Sequence, residues 1–225
     1  SDPTDTLSSK LKDDLDFEGD IIVAGGAGDQ AAGAVGSGVI NPNQSMISLG
    51  TSGVYFSPTS KFSSNTNQAV HSFCHCLPDT WHHMSVMLSA TNCLNWISHL
   101  FRLEVRDAIN KARNFFNKKF IPNSTPFFLP YLSGERTPHN DPYLRGSFHM
   151  LSTSTSIDSM IYAVIEGISF GIKDGFESVH SVSTKSENIY LVGGGSKSNF
   201  WADLIASVIN QRIIVGEDSD FGPAL

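Results

Sequence analysis

The sequence predicts an α/β fold in which a mixed sheet is flanked by helices, and three stretches carry that prediction. From Ser45 the apolar residues alternate on either side of GTSG, which is typical of two antiparallel strands joined by a glycine turn. Residues 157–179 have helical apolar spacing, and NIYLV, GGGSKSNF and RIIV then form a strand, helix, strand unit. This order of elements is that of ribonuclease-H-like, actin-like ATPase domains.

Composition and charge exclude several classes of protein. A chain of 225 residues with 40% apolar composition can bury a substantial core. A formal net charge of −7, without a lysine or arginine cluster, argues against nucleic acid or an anionic membrane as partner. No apolar run is long enough to span a bilayer, and the acidic start does not resemble a secretion signal. Three cysteines make no disulfide framework and are typical of the reducing cytoplasm.

The sequence of the amino-terminal segment predicts a linker and a short helix before the main domain. Residues 1–19 are interpreted as a linker end and a short helix, because leucines recur at four-residue spacing between residues 7 and 15. An apolar strand, IIVAGG, is expected at Ile21. A small-sided helix, AAGAVGSG, should follow Asp29, and NPN at residues 41–43 should end the helical segment.

The middle of the chain predicts a third strand, one helix and a long excursion. The strand is expected over residues 69–76 and the helix over residues 84–101, where apolar residues are three or four apart. Five prolines between residues 122 and 142 indicate an irregular loop, and loops of that length are often functional or dock another domain. Within it, Glu135 and Arg136 are expected to form their own ion pair in a solvated loop rather than to catalyse.

Two glycine-rich turns predict a nucleotide site. Gly50, Thr51, Ser52 and Gly53 follow one apolar strand, and Gly193, Gly194 and Gly195 follow another, with Ser198 and Asn199 beyond them. Free amides and hydroxyls at a sheet edge can bind phosphate oxygens, and Ser198 can cap the next helix. Neither turn is a Walker A loop or a GxGxxG fingerprint. Each taken alone could be an ordinary tight turn, so that interpretation stays open.

Asp29 is the candidate catalytic residue. Eight of the nineteen glycines lie within residues 21–53, around this single acid. A carboxylate at a helix amino terminus can accept a hydroxyl proton, and phosphoryl transfer needs such a base together with positioning and charge neutralisation. In the alternative interpretation, Asp29 only caps its helix.

A cluster of histidines and cysteines raises the question of a metal site. The cluster consists of His71, Cys74, His75, Cys76, His82 and His83. Zinc sites usually combine a CxxC pair with a distant second pair, and this spacing lacks both. These residues are therefore interpreted as part of a strand and the start of a helix.

Six segments together resemble the carboxyl-terminal domain of the FGGY carbohydrate kinases. They are AGGAGDQAAGAVGSG, SLGTSGVYF, WHHMSVMLSATNCLNW, FLPYLSGERTPHNDP, AVIEGISFGIKDGFE and LVGGGSKSNFWADLI, in the family order. The resemblance covers residues 20–225, which are interpreted as this domain, incomplete at its carboxyl end. SGERTPHNDP and DFGPAL favour the branch that acts on D-xylulose over the glycerol branch.

The resemblance implies ATP-dependent phosphorylation of D-xylulose to D-xylulose 5-phosphate, with Mg²⁺ accompanying the nucleotide and its protein ligands left open. It implies that Asp29 is the general base and that Gln30 lies near the sugar. Gly50, Thr51, Ser52 and Gly53 would contact the β- and γ-phosphates, and Gly193, Gly194, Gly195, Ser198 and Asn199 would contact the adenosine.

The resemblance also implies an amino-terminal domain, absent from this chain, that supplies the first phosphate motif and much of the sugar site. This half alone is expected to fold but to turn over little, and the family allows a homodimer in the cytoplasm. Two alternatives stay open: another FGGY kinase acting on glycerol, ribulose or gluconate, or a non-catalytic nucleotide-binding module of the actin type.

Overall fold

The structure is a computed structural model that describes residues 3–117 and 125–216. Its strands are β1 (Pro3–Thr6), β2 (Ile22–Ala24), β3 (Gln44–Leu49), β4 (Gly53–Thr59), β5 (His71–Cys74), β6 (Trp81–Met87), β7 (Phe127–Leu129), β8 (Ser147–His149), β9 (Asn188–Val192) and β10 (Ile213–Val215). Its α-helices are α1 (Ser9–Leu15), α2 (Asp29–Gly36), α3 (Thr91–Leu100), α4 (Val105–Phe116), α5 (Ile157–His180) and α6 (Asn199–Ile209). The DFGPAL segment and Pro122 lie outside the described residues.

Six strands form one mixed sheet in the order β10, β9, β3, β4, β6, β5. The strands β3, β9 and β10 are parallel, whereas β4, β5 and β6 pair antiparallel. Two small sheets stand apart from it, β1 with β2 and β7 with β8. The predicted mixed sheet flanked by helices is confirmed, as are the β3–β4 hairpin, the long α5 and the β9–α6–β10 unit.

Helices cover both faces of the sheet. On one face, α3, α4, α5 and α6 pack over the sheet, and the core includes Ile47, Leu49, Leu94, Ile97, Ile161, Ile165, Ile189, Leu191 and Trp201. On the other face, Ala31 and Ala34 of α2 pack in a cluster with Met46, Val54 and Phe56. Small side chains on α2 allow this close approach, as the sequence predicted. Among the described residues, no helix combines the length and apolarity that crossing a membrane requires.

The helix predicted over residues 84–101 is wrong in its first part. Residues Trp81–Met87 form β6, and α3 begins only at Thr91. Met84 and Val86 pack against the cluster beneath α2, whereas Met87 belongs to the opposite core. Because β6 is covered on both faces, Met87 directly follows Val86 and is also apolar. Met84, Met87 and Leu88 then lie three and four residues apart, which imitates a helix. The sheet consequently has four antiparallel-paired strands where three were expected.

The amino-terminal segment also differs from its prediction. The residues expected to be a linker end form strand β1, which pairs with β2. The two strands make a small sheet of their own, so β2 is not part of the main sheet. The lead-in helix α1 is present but buries none of its residues. Ile22 is 62% exposed and Leu15 53% exposed. These apolar side chains therefore find no core within the described part of the chain.

Candidate active site

The structure brings the two predicted glycine turns together at one edge of the sheet. Strands β3 and β9 are parallel neighbours, with Ser48 opposite Val192, so both turns leave the same edge. Gly193 has φ +87°, and a Cβ at this position would lie 2.9 Å from the carbonyl oxygen of Leu49. A Cβ at Gly195 would lie 2.4 Å from Leu49 Cδ2. Glycine is needed at both positions because the second turn packs directly on the end of β3.

The start of α3 holds the first turn in place. The N–H of Thr91 donates to the carbonyl oxygen of Gly50 at 3.0 Å, and the N–H groups of Ala90 and Asn92 donate to that of Thr51 at 2.9 and 3.2 Å. The carbonyl groups are thereby turned toward the helix. The side chains of Thr51 and Ser52 remain exposed to solvent. Because the N–H groups at the start of α3 already bind these carbonyl oxygens, the exposed hydroxyl groups of Thr51 and Ser52 are the donors left for an anion such as phosphate.

A cleft of about 370 Å³ lies beside Asp29 and is called the Asp29 cleft below. Its lining consists of Gly26, Ala27, Gly28, Asp29, Gln30, Ala31, Phe73, Cys74, His75, Cys76, His82 and Met84. Asp29 is the first residue of α2, it is exposed, and its Oδ1 accepts a hydrogen bond from the N–H of Gln30 at 2.8 Å. The carboxylate therefore interacts with its helix and also faces solvent.

No described residue of either glycine turn lines the Asp29 cleft. Met84 and His82 lie opposite Phe56 and Pro58 of β4, three and five residues beyond Gly53. At about 3.3 Å per residue, these positions lie about 10–17 Å along the strand from the first turn. The structure thus unites the two turns but places Asp29 in a separate cleft.

A second cleft of about 530 Å³, the α4–α6 cleft, includes part of the predicted adenosine motif. It is lined by Gly194, Lys197, Ser198, Asn199 and Phe200 on one side and by Val105, Arg106, Ile109, Asn110 and Arg113 of α4 on the other. The Oγ of Ser198 accepts from the N–H of Trp201 at 3.3 Å, so the predicted cap of α6 is confirmed. The volume lies in the range of small-molecule sites.

Sequence reasoning missed the α4 side of this cleft. Arg106 and Arg113 of α4 can be seen in the sequence, but the residues across the cleft lie about 90 positions along the chain, and no spacing rule connects the two. A helical wheel of α4 would have found the exposed Arg106 and the half-buried Ile109 on its surface. It would not have shown which element of the fold Arg106 and Ile109 face.

The expectation of a solvated loop around Glu135 is wrong. Glu135 is only 3% exposed, and its Oε1 accepts from the N–H groups of Leu88 at 2.9 Å and Arg136 at 2.7 Å. Burial raises the pKa of this carboxyl group to about 7, although the two backbone N–H groups lower it. The guanidinium group of Arg136 lies 3.3 Å from His71 Nε2 instead.

The same loop supports the end of β6. The N–H of Thr137 donates to the carbonyl oxygen of Val86, and the N–H of Val86 donates to Thr137 Oγ1, both at 3.1 Å. Thr137 Oγ1 also donates to the carbonyl oxygen of Ala69 at 3.0 Å. The chain then continues through Leu88 to the start of α3, which holds the first glycine turn. The proline-rich excursion therefore forms a second layer behind this turn.

The histidine and cysteine cluster does not form a metal centre in the part of the chain that the structure describes. Across residues 3–117 and 125–216, no group of three or more His, Cys, Asp or Glu side chains could hold a metal ion. His82 and His83 lie in β6 and not at a helix start. Mg²⁺ bound to a nucleotide needs no such group, because phosphate oxygens and waters supply most of its ligands. The exposed hydroxyl groups of Thr51 and Ser52 are oxygen ligands of the kind that fit such an ion at the first turn.

Fold and site together define the class of protein: this sheet order, with glycine turns at the ends of β3 and β9, is the actin-like ATPase fold of carbohydrate kinases. The chain belongs to the FGGY family of carbohydrate kinases, whose C-terminal domain matches residues 45–225. That match begins after α2, so the predicted domain start at residue 20 stays a prediction.

Relatives of the chain are xylulose kinases. It is 45% identical over 204 residues to the xylulose kinase of Escherichia coli (strain K12) and 43% identical over 204 residues to that of Klebsiella pneumoniae, covering 91% of this chain in both cases. A crystal structure of a xyloylose kinase from Brucella ovis superposes with a TM-score of 0.89 at 39% identity, over 99% of this chain and 45% of that one. The chain spans about 41% of the length of the two curated relatives.

Proposed function

We propose that the complete protein transfers the γ-phosphoryl group of ATP to D-xylulose, and that this chain supplies the nucleotide-binding half with the catalytic base. The observation that carries the proposal is the meeting of the two glycine turns at the ends of β3 and β9. Two relatives with 45% and 43% identity, both named xylulose kinase, support D-xylulose as the acceptor.

In this proposal, ATP lies along the sheet edge. The adenosine occupies the α4–α6 cleft against Gly194, Ser198 and Asn199. Gly193 and Gly195 let the second turn pack on Leu49, which holds Gly194 at the cleft. The β- and γ-phosphates then meet the turn formed by Gly50, Thr51, Ser52 and Gly53. The exposed hydroxyl groups of Thr51 and Ser52 would donate hydrogen bonds to the phosphate oxygens there.

Asp29 is proposed as the general base that accepts the proton of the sugar hydroxyl, with Gln30 beside the sugar. Exposure of the carboxylate in a cleft supports this role, because a base must reach its substrate within hydrogen-bond distance. Mg²⁺ would neutralise phosphate charge when bound, and the hydroxyl groups of Thr51 and Ser52 beside the phosphates are the candidates to hold it. The distance between the Asp29 cleft and the first turn requires the acceptor and the triphosphate to extend toward each other.

The amino-terminal domain is the proposed partner that completes the site. Catalysis of phosphoryl transfer needs exclusion of water, which a single open half does not provide. Exposed apolar residues on α1 and β2 offer a surface for that domain. A cytoplasmic location is proposed because all three cysteines are free. The homodimer stays a prediction.

A coupled assay of ADP release with the full-length protein tests the proposal. D-Xylulose, glycerol, ribulose and gluconate are compared at equal concentration, with a no-acceptor control. D-Xylulose should give the highest kcat/KM. A clear preference for glycerol would contradict the xylulose assignment and favour another kinase of the family. ATP binding without turnover on any acceptor would favour a non-catalytic nucleotide-binding module.

A further inference from the structure

Three side chains of the Asp29 cleft carry buried polar atoms that lack a hydrogen-bond partner. The atoms are Gln30 Oε1, His75 Nε2 and His82 Nδ1. Six such side-chain atoms occur among the described residues, so half of them belong to the lining of this one cleft. Buried polar groups are normally paired, and an unpaired one indicates a missing water or ligand. The concentration at one cleft points to a ligand site.

The hydrogen bonds of His75 determine which of its nitrogens carries the proton. The N–H of Leu77 donates to His75 Nδ1 at 3.2 Å, so Nδ1 is an acceptor. In a neutral imidazole the other nitrogen then bears the hydrogen. Burial lowers the pKa of His75, which keeps the ring neutral. His75 Nε2 is therefore a hydrogen-bond donor without an acceptor.

Neither histidine ring can readily turn to find another partner. The His82 ring stacks on Phe56 with centroids 4.4 Å apart, and the His75 ring meets the His82 ring edge-on at 5.7 Å. The N–H of His75 also donates to the carbonyl oxygen of Thr80 at 2.9 Å, which closes the β5–β6 hairpin. Both rings are thus fixed in the wall of the cleft.

The unpaired atoms select the chemistry of the ligand. His75 Nε2–H needs an acceptor, whereas Gln30 Oε1 needs a donor. A hydroxyl group can do both, while a phosphate or carboxylate can only accept and would lie against the Asp29 carboxylate. Phe73 and Met84 add apolar surface to the same cleft, which suits the C–H faces of a sugar. A polyhydroxylated ligand matches this lining.

We propose that His75 donates a hydrogen bond from Nε2 to a hydroxyl group of the sugar acceptor, in the Asp29 cleft where Asp29 and Gln30 are already proposed to meet that sugar. His75 of the β5–β6 hairpin is then a specificity-determining residue of the kinase. The inference rests on the proposed function, because it takes Asp29 as the base beside the acceptor. It adds His75 to Asp29 and Gln30 as a residue of this half that contacts the sugar.

Two substitutions of His75 distinguish the role of Nδ1 from the role of Nε2. His75→Asn keeps an acceptor near Nδ1 for the Leu77 N–H but removes the Nε2 donor, whereas His75→Gln places an amide N–H near the Nε2 position. In the full-length protein, His75→Asn should raise the KM for D-xylulose about three- to tenfold, the loss of one hydrogen bond. The KM for ATP should change less than about twofold in either variant, and His75→Gln should recover most of the sugar affinity. His149→Asn, on the distant β8, is the matched control.

A second measurement needs no variant. Cys74 is exposed and lines the cleft, so bound acceptor should shield it from alkylation by iodoacetamide. D-Xylulose is expected to slow the labelling of Cys74 severalfold in the full-length protein, as followed by mass spectrometry of the modified peptide. ATP alone should leave the labelling rate unchanged.

The outcomes distinguish the two levels of the proposal. If the protein phosphorylates D-xylulose, yet His75→Asn leaves the sugar KM unchanged and Cys74 is not shielded, the inference is overturned and the proposed function stands. Equal rises in the KM values for sugar and ATP would assign His75 a structural role only, which also overturns it. If no sugar or polyol is phosphorylated, the proposed function itself fails.

Discussion

The carboxylate of Glu135 accepts a hydrogen bond from the backbone N–H of Leu88 at 2.9 Å, in a site where Glu135 is almost fully buried. Leu88 lies between β6 and the start of α3, and α3 in turn holds Gly50 and Thr51. A loop that is 47 residues away along the chain from Leu88 thus supports the turn proposed to bind phosphate. The burial of Glu135 and the hydrogen bonds of Thr137 in this loop should therefore affect the stability of the protein.

The stability of the protein should depend on the ionisation of Glu135. Its pKa rises from 4.5 to about 7 on folding, so the native state binds the proton more tightly than the unfolded state. Protonation of Glu135 contributes to the free energy of unfolding in full below pH 4.5. This contribution is lost as the pH rises through 7, and the loss is about 3 kcal/mol at most. Glu135→Gln keeps an acceptor but cannot ionise. Urea unfolding should therefore show that the variant gains stability relative to wild type when the pH is raised from 5 to 8. If the difference in unfolding free energy between the two proteins is the same at both pH values, the burial of this carboxylate is contradicted.

Thr137→Val should destabilise the protein by about 1–3 kcal/mol, because it leaves the N–H of Val86 and the carbonyl oxygen of Ala69 without their hydroxyl partner. The valine side chain has nearly the same shape, so packing changes little. Thr4→Val on the exposed β1 is the control and should change stability by less than about 0.5 kcal/mol. Thermal unfolding of both variants measures the difference. Equal effects would show that the hydroxyl of Thr137 is not needed.

Asp29→Asn should lower kcat by about 10²- to 10⁴-fold in the full-length protein, the usual contribution of a general base. ATP binding should persist, because Asp29 lies outside both glycine turns and the α4–α6 cleft. Steady-state kinetics and nucleotide titration measure the two effects. Asp16→Asn, exposed beyond α1, serves as the control. Full activity of Asp29→Asn would contradict its role as general base and leave the carboxylate with only its hydrogen bond to the N–H of Gln30.

Gly193→Ala should destabilise the folded protein by about 1–3 kcal/mol, because Gly193 has φ +87° and ψ 175°, a region that is essentially restricted to glycine. The added Cβ would also press on the carbonyl oxygen of Leu49 at 2.9 Å. Gly194 next to it has open space around a Cβ and an ordinary φ. The melting temperature of Gly194→Ala should therefore stay close to that of wild type. A similar loss in both variants would mean that the close contact between the turns does not exist.

Much of the local structure could be predicted from the sequence. The β3–β4 hairpin, α2, α5 and the β9–α6–β10 unit follow from apolar spacing and glycine turns, which are properties of adjacent residues. Strand β6 was mistaken for a helix because both of its faces are buried. The burial of Glu135 was missed because charged residues in a proline-rich stretch are usually solvated, and only the hydrogen bond to Leu88 reveals the exception.

The sequence by itself determined the family, the fold class and the identity of the candidate residues, because order of motifs and periodicity are written along the chain. Only the tertiary structure decided which of them meet. It joined the turns of β3 and β9 across about 140 residues, set α4 against the second turn, and placed Asp29 beside His75 and His82 instead of beside the turns. Those contacts arise from packing between distant segments, and no local pattern encodes the distance between them.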